Sequence, residues 1–160
     1  MITIIVAFMM NEIIHSVTEV DSLQQWQSLI VAGNTAFERA DYETAATRYR
    51  AACERALELL AEWHDADAVT AALCVSYQNL ADTYLDQCRV RDALETYRRL
   101  HEVLELAYRN GNANRRKAAL SASRRTVTDL MCIIQSHTLN SDYAKEILKD
   151  VTAFPRSLVN

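Results

Sequence analysis

The chain has 160 residues, of which 50% are hydrophobic, and a formal net charge of −4. This length suits one domain or a short run of stacked repeats, and the apolar content suffices for a continuous core. The chain has two glycines and one proline, which argues strongly for long helices, because sheets need turn residues at short intervals. Abundant Ala, Leu, Glu and Arg also favour helix, so the sequence predicts an all-α protein.

Residues 1–21 form an apolar N-terminal extension of uncertain status. Its start, Met1 to Met10, has no basic n-region and no small-residue cleavage site, which argues against a signal peptide. An apolar stretch of this length is too short to span a bilayer. We interpret it as a frayed extension, a short packing segment or a result of start-codon choice, with Met9 or Met10 as the real start. We therefore expect a cytoplasmic protein.

Two helical patterns follow from residue 22. Asp21-Ser22 supplies N-caps, and Gln25 completes a capping box for helix one, which ends near Ala40. Asp41 caps helix two, which reaches about His64. The apolar positions at helical spacing are Trp26, Leu29, Ala32 or Gly33 and Phe37 in helix one, and Tyr42, Ala45, Tyr49, Ala52, Ala56, Leu60 and Trp63 in helix two.

The next two helices are predicted from Asp65 onwards. Asp65 and Asp67 flank the corner, where acids suit a helix N-terminus, and helix three runs to about Cys88. Helix four begins after Arg89-Val90 and is stopped by Gly111 and the asparagines around it. The apolar positions are Ala72, Val75, Leu80, Tyr84 and Leu85 in helix three, and Ala93, Leu94, Tyr97, Leu100, Val103, Leu104 and Ala107 in helix four.

Residues 111–153 form the last predicted hairpin. Helix five covers roughly Asn114 to His137, and a shorter helix six starts at Asn140-Ser141 and is ended by Phe154-Pro155. We expect helix six to cover the apolar end of the stack, and residues 154–160 to form a C-terminal tail. The apolar positions are Val127, Leu130, Met131, Ile133 and Ile134 in helix five, and Ala144, Ile147, Leu148 and Val151 in helix six.

Residues 33–49 and 80–97 share one pattern of small and aromatic residues. Small residues allow close helix crossing, because a larger side chain has no room at the contact. The aligned pairs are Gly33 with Ala81, Ala40 with Cys88, Tyr42 with Val90, Ala45 with Ala93 and Tyr49 with Tyr97, and Phe37 lies one place past Tyr84.

Over residues 22–110 this pattern resembles the tetratricopeptide repeat, a helix-turn-helix unit. That repeat usually spans about 34 residues, whereas Ala45 and Ala93 are 48 apart. The surplus corresponds to about four helical turns, or two in each facing helix. The resemblance therefore implies a long-helix variant: antiparallel hairpins stacked as a short right-handed superhelix of about six helices.

In this family the first helix of each hairpin lines a concave groove that receives a peptide or a helix of a partner. Some relatives use asparagines at the positions of Asn34 and Asn79 to grip a C-terminal carboxylate, with a lysine four residues before the first. Ile30 occupies that lysine position here, which argues against binding of a chaperone tail. The resemblance implies these groove residues: Gln27, Ile30, Asn34, Phe37, Glu38, Gln78, Asn79 and Asp82, with Asp86 as a further candidate.

Charge is unevenly distributed along the chain. Residues 1–88 contain 4 Lys/Arg and 13 Asp/Glu, whereas residues 89–160 contain 13 and 8. Such asymmetry can steer association or favour head-to-tail contacts. A basic patch in helix five could receive an acidic peptide or nucleic acid, but the acidic pI and the lack of interleaved aromatics argue against nucleic acid. An ordinary solvated face, or pairing with the acidic half, is the simpler interpretation. The patch comprises Arg115, Arg116, Lys117, Arg124 and Arg125.

No pattern of catalytic, cofactor-binding or metal-binding residues is visible. The stretch from His101 to Glu105 lacks the second histidine of a zinc-protease motif, and there is no Gly-rich phosphate loop and no GxSxG. The four cysteines lie far apart without a CxxC pair, which favours buried thiols in a reducing cytosol over a metal site. The cysteines are Cys53, Cys74, Cys88 and Cys132.

The sequence therefore predicts a non-enzymatic protein–protein interaction module, an adaptor or regulator, that needs no cofactor. One alternative is a small secretion-type chaperone, which would bind several unrelated peptides. A second is a structural homo-oligomer, whose mass would depend on concentration and fall in high salt. An enzyme or a nucleic-acid binder ranks last.

Overall fold

The structure, a computed structural model, describes residues 21–137 and 141–157. These ranges contain six helices and no strand, which confirms the predicted all-α fold. None of these helices has the length and apolarity to cross a lipid bilayer. The helices are α1 (residues 21–38), α2 (Tyr42–Glu62), α3 (Ala66–Asp86), α4 (Val90–Asn110), α5 (Ala113–Ser136) and α6 (Asp142–Ser157).

The helices are arranged in two layers. From α2 to α6 each helix packs against the next, and α3 also packs on α5 and α4 on α6. The Trp26 Nε1–H group of α1 donates to Ser76 Oγ of α3 at 2.8 Å, which joins α1 to the odd-numbered layer. This consecutive packing is consistent with a helical repeat and confirms the predicted stack of helical hairpins.

The same chain reversal ends α1 and α3. Ala40 and Cys88 have positive φ angles of 57° and 58°. The N–H of the next residue bonds to a carbonyl five residues back: Asp41 N to Ala36 O at 3.0 Å, and Arg89 N to Tyr84 O at 2.8 Å. Both ends therefore have the hydrogen bond of a Schellman motif. They recur at the spacing that the alignment of Ala40 with Cys88 predicts.

Small residues let the paired helices approach each other. Ala45 and Ala93 are fully buried, and the aligned Tyr49 and Tyr97 are each 3% exposed. Around them a continuous core of leucines and alanines follows the helical spacing. Each leucine buried in this way contributes about 2 kcal/mol by the usual area rule.

Helix caps largely follow the prediction. Asp41 Oδ1 accepts from Thr44 N, and Asp65 Oδ1 accepts from the N–H groups of Asp67 and Ala68. The predicted cap at Asp21-Ser22 is wrong, because α1 is already helical at residue 21. Ser22 is buried instead, and its hydroxyl accepts from Arg55 Nη2 at 2.7 Å.

One predicted feature of α6 and one of α3 are wrong. Helix α6 passes Pro155 and continues to Ser157, so the predicted end at Phe154-Pro155 is wrong. Val75, which the sequence pattern places on the apolar surface of helix three, is 37% exposed. Residues 1–20, 138–140 and 158–160 lie outside the described residues. They include most of the predicted extension, Asn140 at the predicted start of helix six, and part of the tail.

The prediction of buried cysteines is half right. Cys53 and Cys74 are buried, and burial raises the pKa of their thiols to about 12 and about 11. Cys88 and Cys132 are exposed. Cys88 is exposed because it occupies the reversal after α3 rather than the helix itself.

Candidate interaction groove

Helices α1, α3 and α5 form one surface, which we call the inner face. On α3 the residues of this face recur every three or four positions, so they form one stripe along the helix. The stripe is the part of α3 that is turned away from the core and away from α2 and α4. It consists of Val75, Gln78, Asn79, Asp82 and Asp86.

A pocket of about 220 Å³ opens on the inner face between α1 and α3. Five residues of the predicted groove line it, and Tyr49 of α2 forms its base. The structure therefore brings together side chains that lie 45 residues apart in the chain, such as Asn34 and Asn79. The lining residues are Asn34, Phe37, Glu38, Tyr49, Asn79 and Asp82.

The amide of Asn34 organises the pocket. Its Oδ1 accepts from the Tyr49 hydroxyl at 2.7 Å and from Asn79 Nδ2 at 3.5 Å. These bonds use the side-chain oxygen of Asn34 and the side-chain nitrogen of Asn79. The Nδ2 amino group of Asn34 and the Oδ1 oxygen of Asn79 therefore stay available to a ligand. Phe37 packs edge-on against Tyr42, with ring centroids 5.4 Å apart, and adds an apolar wall.

The other predicted groove residues lie outside this pocket. Gln78 belongs to a neighbouring depression between α3 and α5, where its Nε2 donates to Asp129 Oδ2 at 2.9 Å. Ile30 is half-buried and packs against the core. Gln27 is exposed on α1, about two helical turns before Asn34.

Carboxylates dominate the charge of the pocket. Among the described residues Glu38, Asp82 and Asp86 have no hydrogen-bond or ion-pair partner. Desolvation, followed by the charges of Asp86 and Asp129, raises the pKa of the Asp82 carboxyl. Partial burial, followed by the charges of Asp82 and Glu38, raises the pKa of Tyr49.

The predicted basic patch is distributed around α5, because consecutive helical residues point about 100° apart. Arg115 Nη2 donates to the Trp63 carbonyl at 3.0 Å and so ties α5 to the end of α2. Arg116 Nε donates to the Gly111 carbonyl at 3.0 Å. Arg125 lines the inner face beside Gln78. The remaining two, Lys117 and Arg124, are exposed.

His101 is buried between α4 and α5. Its Nε2 lies 2.8 Å from Thr126 Oγ1, and its Nδ1 lies 3.2 Å from Ser123 Oγ. Burial lowers the pKa of its imidazole to about 4, so the ring is neutral near pH 7. Its surroundings are those of a packing residue. Within residues 21–137 and 141–157, no group of three or more His, Cys, Asp or Glu side chains is placed to hold a metal ion.

Sequence reasoning missed two parts of this surface. Tyr49 was interpreted as a packing aromatic, although its hydroxyl reaches the pocket through Asn34. A separate cleft of about 300 Å³ on the other layer, between α2 and α4, was not anticipated. Its floor consists of α3 side chains, among them Tyr77 and Leu80. No local pattern points to either feature, because both depend on how far apart two helices lie.

A family model described as "Protein of unknown function (DUF2753)" matches residues 24–155. The chain belongs to this family. No curated protein and no solved structure is significantly similar to it. The match begins inside α1 and ends inside α6, so the DUF2753 region contains α2 to α5, most of α1 and α6, and all residues that line the pocket.

Proposed function

We propose that this DUF2753 protein is a protein–protein interaction module of the tetratricopeptide-like kind. In this proposal its inner-face groove binds a peptide or helix of a partner protein, and its role is that of a non-catalytic adaptor or regulator. The observation that carries the proposal is the pocket between α1 and α3, where five residues of the expected groove meet.

The chemistry of the pocket suits a polypeptide ligand. The Asn34 amino group and the Asn79 carbonyl offer one donor and one acceptor, the pair of groups that a peptide backbone needs. Each such hydrogen bond contributes about 1 kcal/mol net. Phe37 and Tyr49 add aromatic surface, which is typical of the energetic centre of interfaces.

We also propose a cytoplasmic location. Cys53, Cys74, Cys88 and Cys132 are all free thiols. Two of them are exposed, and unpaired exposed thiols are typical of proteins kept in a reducing compartment.

Site-specific photo-crosslinking tests the proposed groove. A photoreactive amino acid is placed in the full chain at Val75, in the inner-face stripe and 37% exposed. A second variant carries it at Leu106 of α4, which is outside the inner-face stripe and 57% exposed. Irradiation in the source cells should yield a discrete adduct with one other protein at Val75 and none at Leu106.

The two positions distinguish the proposal from its rivals. An adduct at Leu106 alone, or equal adducts at both positions, would place the interaction elsewhere. A Val75 adduct of twice the protomer mass would identify self-association instead. A ladder of many different preys at Val75 would indicate a chaperone-like function.

A further inference from the structure

Helices α1 and α3 differ in charge from the other four described helices. Within residues 21–38 and 66–86 there is no lysine and no arginine, although five aspartates and glutamates occur there. Glu38 and Asp82 line the pocket between these helices, and Asp86 lies one turn beyond Asp82 on the same stripe. The inner face thus carries uncompensated negative charge where α1 meets α3.

Helix α4 shows how the same chain compensates acids elsewhere. Each of its four acidic residues pairs with an arginine three or four positions away. The pairs are Asp92 with Arg89, Glu95 with Arg98, Glu102 with Arg98, and Glu105 with Arg109. The acids of the pocket lack such partners, so a ligand can supply the missing cations.

The proposed function and this charge distribution together identify the chemistry of the ligand. We infer that the groove binds a basic segment of the partner protein, with a Lys or Arg side chain in the pocket between α1 and α3. The inference rests on the proposed function. The ammonium or guanidinium group meets Glu38 and Asp82, the aliphatic stem packs on Phe37, and the Asn34–Asn79 pair holds the backbone.

The groove also has a polarity along its length. Its α5 end carries Arg125, whose Nη1 donates to Ser121 Oγ at 3.1 Å, beside the Gln78–Asp129 pair. A cation is therefore less favoured there than at the α1 end. The basic residue of the ligand is directed towards α1, and its neutral or acidic neighbours are directed towards α5. An acidic C-terminal tail is the least suitable ligand, because no cation lines the pocket.

A peptide selection tests the inference. The wild-type chain is panned against short random-sequence peptides displayed on phage, and the enriched sequences are compared with the input. The best peptide is then synthesised with a fluorescent label and titrated by anisotropy. We expect enrichment in Lys and Arg and an affinity that falls as NaCl is raised.

Charge-matched variants localise the effect. Asp82→Asn/Asp86→Asn removes two inner-face charges, and Glu54→Gln/Glu146→Gln removes two exposed charges on α2 and α6. We expect a loss of about tenfold or more in affinity for the first pair and less than about twofold for the second. Circular dichroism melts of all variants verify that they are folded.

The outcomes separate this inference from the proposed function. Enriched peptides without basic residues that still lose affinity on Asn79→Ala would overturn the inference and leave the groove intact. If the affinity for basic peptides falls equally in both double variants, the peptides are attracted non-specifically to an acidic protein. That result would also overturn the inference. If no peptide is enriched, or if none responds to a groove variant, both the inference and the proposed groove fail.

Discussion

Ala40 and Cys88 lie at equivalent places in the two hairpins and share a left-handed backbone, with φ of 57° and 58°. Neither is glycine, the residue that adopts this conformation without strain. For a residue with a Cβ the left-handed conformation costs roughly 1–2 kcal/mol. Both reversals are therefore held in place by the helices on either side rather than by the local residue.

Replacing either residue by glycine should stabilise the protein. We expect Ala40→Gly and Cys88→Gly each to raise the free energy of unfolding by about 1 kcal/mol, because the left-handed strain disappears. Urea denaturation measures this. Ala32→Gly, an exposed position inside α1, is the control and should lose about 1 kcal/mol through helix propensity. If Ala40→Gly lowered the free energy of unfolding as much as Ala32→Gly, the backbone at the reversal would not be strained.

Gly33 is required by the close approach of α1 to Tyr49. A Cβ at Gly33 would lie 2.7 Å from Tyr49 Cδ1, and Tyr49 is held by its bond to Asn34. We expect Gly33→Ala to lower the free energy of unfolding by about 1–3 kcal/mol through overpacking, although alanine is the better helix former.

A second alanine substitution in α1 is the control for Gly33→Ala. Thr35→Ala, at an exposed position two residues further along α1, should be neutral or slightly stabilising. If Gly33→Ala is also stabilising, α1 and α2 can separate to the distance that Ala81 and Tyr97 require in the second hairpin.

His101 should make stability depend on pH. Its folded pKa of about 4 lies below the ordinary 6.5, so folding favours the neutral ring. Stability is therefore full above pH 6.5 and falls as the pH drops towards 4. A shift of this size corresponds to about 3 kcal/mol as an upper bound.

Urea denaturation of wild type and His101→Gln between these pH values isolates the histidine from the acids. As the pH falls, the free energy of unfolding should decrease more for the wild type than for His101→Gln. Parallel curves for the wild type and His101→Gln would show that folding does not change the pKa of the His101 ring.

We expect the charged Asp82 carboxylate to destabilise the folded protein. Its pKa is raised by desolvation and by Asp86 and Asp129, so the folded state disfavours its charge. Asp82→Asn should therefore raise the melting temperature at pH 7 and lose this advantage below its ordinary pKa of 3.8. The control is Glu54→Gln, on the other layer. A lower melting temperature for Asp82→Asn at pH 7 would show that the carboxylate stabilises the fold.

Caps and residue spacing in the sequence predicted the helices and the equivalence of the two hairpins. They did not predict which side chains of neighbouring helices contact each other. Asp41 caps α2 as expected, and the equivalence of Ala40 and Cys88 was visible from aligned small and aromatic residues. Val75 was misplaced because an apolar residue on the border of a helical stripe fits either surface. The Tyr49–Asn34 hydrogen bond could not be predicted, because it depends on how α1 and α2 cross.

Arg115 should act as a structural residue and not as part of a basic binding patch. Its guanidinium caps the C-terminal end of α2 through the Trp63 carbonyl, and a hydrogen bond from a charged donor contributes about 1.5–3 kcal/mol. Arg115→Ala should therefore lower the free energy of unfolding by roughly this amount in urea denaturation. Lys117→Ala, exposed on the same helical turn, should leave it unchanged. If the two variants were equally stable, the bond across to α2 would contribute nothing, and Arg115 would be available to a ligand like the other cations of α5.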